Sequence, residues 1–207
     1  MSAPAETFDP TTALTRALFA TEEIVTGIDA DQWSADTVCT GWNVGELLDH
    51  LVAGNHQFIA ALGGEQAVDT SSDEALEAAS AGQTAAAGDL DDDPVAAYRL
   101  SAAGLQRAIA VPGVLDQLVT VPFGTVPGAV ALHLRLTEIL VHGWDLAQAT
   151  GQPTTDFPAD IAVVELAFSK DALKEIPTGE SPFDSPQPVA ASAPAIDQLA
   201  ALLGRRP

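Results

Sequence analysis

The sequence predicts a mainly α-helical protein: a four-helix bundle with a long crossover, plus a short β-hairpin and a small C-terminal appendage. Three observations lead there. Hydrophobic residues make up 47% of the 207 residues but aromatics only 5%, and much of the apolar share is alanine, which suits close helix packing better than a β-rich core. Several segments combine helical spacing of apolar residues with recognisable start or stop signals. Between the second and third of them lies a long stretch poor in large apolar groups, which reads as a crossover rather than a tight turn.

The elements follow in order. Asp9-Pro10 reads as an N-cap followed by proline at the first helical position. The first helix is expected from Thr11 to about Ile28, with Leu14, Leu18 and Ile24 near one face; Gly27 and the polar stretch Asp29 to Gly41 end it. The second helix has the clearest start. Asn43 is the cap, Glu46 completes a capping box, and Trp42 is placed to staple onto Leu47. It runs to about Leu62, with Leu48, Leu51, Asn55, Phe58 and Ile59 along one face, and Gly63-Gly64 stops it. Residues 65–93 turn to Ala, Asp, Ser and Gly and are expected to be a mobile crossover, with a weak helix over 73–87. Asp93-Pro94 restarts order for a third helix over 95–109.

From Val111 to Gly128, three prolines and three glycines surround LVTVPFGTVPG, which reads as a short hairpin. The fourth helix is expected from Ala129 to Thr150, stopping at Gly151 with Pro153 just beyond. Another helix follows from Pro158 to about Lys174, then a Pro-rich loop from Ile176 to Pro188, a short strand around Val189 and a last helix from Ala195 to Leu203. With no internal repeat, the whole of 1–207 reads as one domain, 176–207 forming the C-terminal appendage.

Eight Lys and Arg stand against 29 Asp and Glu, a formal net charge of −21. Such a surface repels nucleic acid and anionic membrane, both of which are held mainly through Lys and Arg contacts to phosphate. Cys39 is the one cysteine, so an intramolecular disulfide and a zinc-finger cluster are excluded. The N-terminus carries neither a basic patch nor a continuous apolar run, and no stretch of ~18 apolar residues occurs. The expected compartment is the cytoplasm.

Of the four histidines, His50, His56, His133 and His142, His142 has an acidic residue one helical turn before it, at Glu138. Residues at i and i+4 lie about 40° apart on a helix, so both can reach one ion. The apolar face of the fourth helix centres near Leu132, Leu136, Ile139 and Leu146, placing Glu138 and His142 on its flank. His50 lies about 120° from the centre of the second helix's apolar face, also on a flank. Two helices side by side can therefore bring the three together. Two neutral imidazoles and one carboxylate make the catalytic type of metal site, with a position open to water or substrate. Zinc is the first expectation, and nickel or iron(II) suit the same ligands. An ordinary Glu–His helix pair and a hydrogen-bonded His50 at a helix edge account for the same spacing, which leaves both readings open.

Other residues fall around this stripe. His133, nine residues before His142, lies about 180° away, and His56 points away from His50; both are expected at the surface. Arg135 is a candidate catalytic residue that would anchor an anionic substrate or thiol, with a salt bridge to Glu138 as the simpler reading. Asp145 is a candidate carboxylate behind a ligand histidine, or is simply solvated. Trp42 and Trp144 are expected to pack in the core, with a place in the pocket wall as the second reading for either ring; Cys39 is expected to be a small buried hydrophobe, with a thiolate ligand or nucleophile as its second reading.

The segments T-V-C-T-G-W-N-V-G-E-L-L-D-H-L-V-A-G (37–54) and H-L-R-L-T-E-I-L-V-H-G-W-D-L-A-Q-A-T-G (133–151) resemble the N-terminal domain of mycothiol-dependent maleylpyruvate isomerases and related actinobacterial metal-binding proteins of the DinB-like four-helix superfamily. The ending D-Q-L-A-A-L-L-G-R-R-P (197–207) is similar to that of one short subgroup, so the resemblance covers nearly the whole chain. It implies a single divalent metal held by a histidine of the first motif and the Glu and His of E-x-x-x-H in the second, which are His50, Glu138 and His142. It also implies a low-molecular-weight thiol, mycothiol or a similar one, as co-reactant. The full isomerases of the family carry a further domain that supplies a catalytic arginine, whereas only about fifty-five residues follow the fourth helix here. The expected activity is thus a thiol-dependent transfer or isomerisation of a small electrophile other than maleylpyruvate isomerisation itself. Two further classes stay open: a non-catalytic metal- or ligand-binding protein, and a structural homodimer whose ion staples helices.

Overall fold

A computed structural model describes residues 8–63, 93–121, 124–175 and 183–207. Among these residues are six α-helices and one two-stranded sheet. The crossover expected over 65–93 and its weak helix over 73–87 fall almost wholly on residues outside the described ones.

Helix α1 (Pro10–Thr26) starts where the Asp9 side chain accepts the Thr12 N–H at 2.9 Å, with Pro10 at the first position. Helix α2 (Val44–Gly63) opens on a reciprocal capping box: the Asn43 N–H donates to Glu46 Oε2 at 2.8 Å and the Glu46 N–H to Asn43 Oδ1 at 2.9 Å. Helix α3 (Pro94–Ile109) is capped by Asp93, which accepts the Ala96 N–H at 2.9 Å. A short 3-10 turn (Val114–Asp116) leads to β1 (Leu118–Val121), paired antiparallel with β2 (Gly124–Pro127) in the register Leu118–Pro127, Val119–Val126, Thr120–Thr125 and Val121–Gly124. Helix α4 (Gly128–Thr150) follows directly, then α5 (Ala159–Ala172) and α6 (Ala195–Leu202). Each helix lies within one or two residues of its expected span, the usual fraying at ends.

Helices α1 and α2 each pack on both α3 and α4, which places α1 opposite α2 and α3 opposite α4 in a four-helix ring. Burial fixes these corners: Leu14 and Leu18 of α1, Leu48 and Leu51 of α2, Tyr98 and Leu105 of α3, and Leu132, Leu136 and Leu140 of α4 are buried together. Helices α5 and α6 pack on each other and on α4, and the Trp144 indole, buried, donates to Asp197 of α6 at 2.8 Å.

The strand expected around Val189 is not formed; residues 184–190 are irregular. Pro186 and Pro188 lie within the segment, just before Val189, and lack the N–H groups a ladder needs. The segment is tied instead by the Gln187 N–H, which donates to Ala201 O of α6 at 2.8 Å. No helix among the described residues is long and apolar enough to cross a membrane.

Candidate functional site

The site lies along the α2–α4 seam and draws on four pieces of chain. Helix α2 supplies His50, and α4 supplies Arg135, Glu138, His142 and Asp145. The loop before α2 supplies Cys39 and Trp42. It is a closed local structure: the Thr37 hydroxyl donates to Trp42 O at 2.9 Å, the Cys39 N–H to Thr37 Oγ1 at 3.1 Å, and the Trp42 N–H to Cys39 O at 3.0 Å. Gly41 makes the reversal with φ +88°, a conformation that side chains disfavour. The fourth piece is the C-terminal tail, which brings Arg205.

His50 and His142 face each other edge to face, ring centroids 5.1 Å apart, and the Trp42 ring stands 4.6 Å from His50 and 6.3 Å from His142. Trp42, packed against the edge of the core, is thus also a wall of the site. Burial, followed by the neighbouring His142, pushes His50 down to about 4, while Glu138 pulls weakly the other way. The His50 ring is thus neutral near pH 7 and keeps a lone pair, as a metal-ligating imidazole must.

Glu138 is partly exposed (38%) and accepts from Arg135 Nη1 at 2.7 Å. Arg135 is buried (2%); its Nε donates to Asn55 Oδ1 at 3.1 Å and its Nη2 to Leu51 O at 2.6 Å. Asn55 in turn donates to the Ser101 hydroxyl at 3.0 Å. All these bonds hold the guanidinium inside the helix packing and against Glu138, so the salt bridge is what Arg135 makes. Gly54 is what lets it in, since a Cβ there would strike the guanidinium.

Asp145, expected either behind a ligand histidine or solvated, is fully buried (0%) and meets four donors. It accepts from His142 Nδ1 at 3.0 Å, from Cys39 Sγ at 3.2 Å, and from Arg205 Nε and Nη2 at 3.2 and 2.9 Å. Three of these donors converge on Oδ2 and one on Oδ1, so both oxygens of the buried carboxylate are compensated. Burial works to raise its pKa, but the bonds from His142 and Arg205 outweigh burial and hold the carboxyl below the ordinary range. Burial and the Asp145 charge push the Cys39 thiol up to about 12.

Among the described residues, the group of three whose ligand atoms lie within 4.8 Å of one another is Cys39, His142 and Asp145. Its members hydrogen-bond one another: the Cys39 thiol donates to Asp145, and Arg205 grips the same carboxylate. His50, Glu138 and His142 share one neighbourhood, since the charges of both Glu138 and His142 reach His50. By residue type, two imidazoles and one partly exposed carboxylate are a donor set that suits a divalent ion.

Elsewhere, His56 is exposed. His133 is not a free surface residue. Its Nδ1 lies 2.8 Å from Oε1 of the buried Glu165, and its ring stacks on Phe8 and Phe168. Cys39 and Arg205 are the site members that sequence reasoning missed. Cys39 lay inside the first motif but read as a hydrophobe, and Arg205 stands 60 residues from Asp145 with no spacing rule to join them.

Comparisons with known proteins bear on this geometry. The family model described as mycothiol maleylpyruvate isomerase N-terminal domain matches residues 14–147. An uncharacterized protein of Mycobacterium tuberculosis, recorded in strains CDC 1551 / Oshkosh and ATCC 25618 / H37Rv, is 34% identical over 198 residues, covering 95% of this chain and 98% of its own. The crystal structure of the mycothiol-dependent maleylpyruvate isomerase superposes with a TM-score of 0.58 at 21% identity, over 77% of this chain and 68% of that one. A histidine-to-alanine mutant of that isomerase gives 0.55 over the same shares. The two structures share the fold, the family match covers the first motif and the second as far as residue 147, and the chain belongs to the mycothiol maleylpyruvate isomerase N-terminal domain family.

Proposed function

We propose that this protein is a divalent-metal-dependent enzyme that uses a low-molecular-weight thiol, mycothiol or a close analogue, to transfer to or isomerise a small electrophile in the cytoplasm. The observation that carries the reading is the His50–His142 pair on the α2–α4 seam, both rings partly buried and 5.1 Å apart, with Glu138 one turn from His142. His50, Glu138 and His142 would hold the ion, with zinc first among the metals that suit them. A divalent ion there supplies a Lewis acid that favours the thiolate form of a small thiol at neutral pH.

The chain's own groups do the rest. His50 is held neutral by burial and needs no proton removed before it can ligate. Asp145 accepts a hydrogen bond from the Nδ1–H of His142, which would leave the lone pair on Nε2. Trp42 covers the two rings and limits water on that side. Arg135 keeps Glu138 on the seam and fixes the carboxylate's direction, a positioning role rather than substrate contact.

The reading is tested with protein purified without chelators and loaded with zinc. Consumption of a panel of small electrophiles is measured with mycothiol, with other thiols and without thiol. Turnover that needs both metal and thiol, and that disappears in Glu138→Gln, is expected. Thiol-independent or metal-independent turnover would contradict it. Metal uptake with neither turnover nor thiol binding would instead leave a non-catalytic metal-binding protein.

A further inference from the structure

Arg205 lies outside the helices, in the last three residues of the chain, yet it is mostly buried and engaged on four sides. Its Nε and Nη2 make a two-pronged contact with Asp145 Oδ1 and Oδ2 at 3.2 and 2.9 Å, Nη1 donates to Leu203 O at 2.9 Å, and Nη2 lies 3.6 Å from Cys39 Sγ. The tail is brought there by α6, where the Arg205 N–H donates to Ala200 O at 3.0 Å and Gly204 turns with φ +91°. The neighbouring Arg206 is exposed and reaches Gln187 instead. One of two adjacent arginines is thus committed to a fully buried carboxylate whose other partner of consequence is His142.

We propose that Arg205 is a positioning residue for the metal centre: gripping both oxygens of Asp145, it fixes the carboxylate so that His142 is held in one orientation and one tautomer, Nδ1–H on Asp145 and the lone pair on Nε2. The geometry carries this directly. Asp145 Oδ2 is the atom that meets His142 Nδ1, and the same oxygen receives Arg205 Nη2 and the Cys39 thiol. Planar two-point contact is what a guanidinium gives a carboxylate and an ammonium does not. Without it, Asp145 can rotate about its side-chain bonds and the imidazole behind it follows. Carboxylates behind ligand histidines fix ring orientation and tautomer, and their loss typically costs ~10–100-fold in metal affinity.

The inference rests on His142 being a metal ligand, and the test separates the two. Co(II) is titrated into wild type, Arg205→Gln, Arg205→Lys, Asp145→Asn and the double variant Arg205→Gln/Asp145→Asn, with helix content and melting followed in parallel. Arg205→Gln is expected to raise the Co(II) Kd about tenfold or more. Arg205→Lys is expected to recover part of that loss, and the double variant to bind no worse than the weaker single, because both act along one path. A Kd for Arg205→Gln within about twofold of wild type, or losses that add in the double variant, would overturn the proposal. Should Arg205→Gln not fold, Arg205→Lys decides by itself: a Kd raised severalfold supports the proposal and an unchanged one overturns it. If wild type takes up no Co(II), the metal reading fails, and the ¹⁵N ring signals of His142 in the apo protein decide this inference alone. A single Nδ1–H form in wild type that becomes mixed in Arg205→Gln supports it; any other pattern overturns it.

Discussion

Helix α4 carries two histidines nine residues apart, each against a carboxylate: His142 against Asp145 of the same helix, and His133 against Glu165 of α5. Their contact distances are nearly the same, 3.0 and 2.8 Å, and both carboxylates are fully buried. Their surroundings are opposite. Asp145 is compensated by a two-pronged arginine and a thiol, and its carboxyl is held low. Glu165 has His133 on one oxygen and the Thr137 hydroxyl on the other at 3.2 Å; burial outweighs both and pushes its carboxyl up. The rings differ in the same way. His142 faces a second, neutral imidazole, whereas His133 stacks on Phe8 and Phe168, 5.3 and 4.8 Å away. A histidine–carboxylate pair is therefore not a ligand signal by itself. What faces the ring and what neutralises the carboxylate decide whether it prepares a ligand or ties two helices together.

The comparison can be broken most strongly at His133. Replacing it with Ala strips Glu165 of its closest partner and removes a ring from an aromatic stack, with an expected loss of about 2 kcal/mol in urea unfolding. Metal uptake should be unchanged. A loss of metal at retained fold would mean that the two pairs are not independent.

A smaller effect tests the support of Glu138. Gly→Ala inside a helix ordinarily gains up to ~1 kcal/mol. At Gly54 the added Cβ would meet an Arg135 guanidinium pinned by Asn55, Leu51 and Glu138, and a net loss of about 1 kcal/mol is expected instead. A stabilised Gly54→Ala would show that Arg135 moves freely and that Glu138 is not held.

The smallest effect is a pH slope. Because the folded Glu165 carboxyl is raised by burial, the stability tied to its protonated form is full below the ordinary glutamate value. It is lost as pH rises through the folded value. Glu165→Gln cannot titrate, so the stability of wild type relative to this variant should fall as pH is taken from about 4 to about 8. A flat or rising difference would contradict the assignment of burial as the dominant influence.

Much of this arrangement was legible in the sequence wherever the cause is local. Asp9-Pro10, the Asn43–Glu46 box and Asp93-Pro94 write the starts of α1, α2 and α3 within four residues each, and helical spacing put His50 and the E-x-x-x-H pair on facing flanks of α2 and α4. What the sequence hid depends on closure of the chain. Arg205 reaches Asp145 across 60 residues and Cys39 reaches it across 106, distances over which periodicity carries no information. Trp42 looked like a core residue because aromatic size signals burial without saying against what. Val189 looked like a strand because its β-branched side chain was weighed without the two prolines beside it.

The central claim is that α2 and α4 together hold one metal ion through His50, Glu138 and His142. It is tested most directly by elemental analysis of tag-free protein purified without chelators, wild type beside His142→Ala. About one equivalent of zinc, nickel or iron in wild type, lost in His142→Ala while helix content is kept, is the predicted result. A wild type that carries no metal, takes none up when it is added and melts at the same temperature with or without it would contradict the account, and would leave His142 and Asp145 as a second structural pair beside His133 and Glu165.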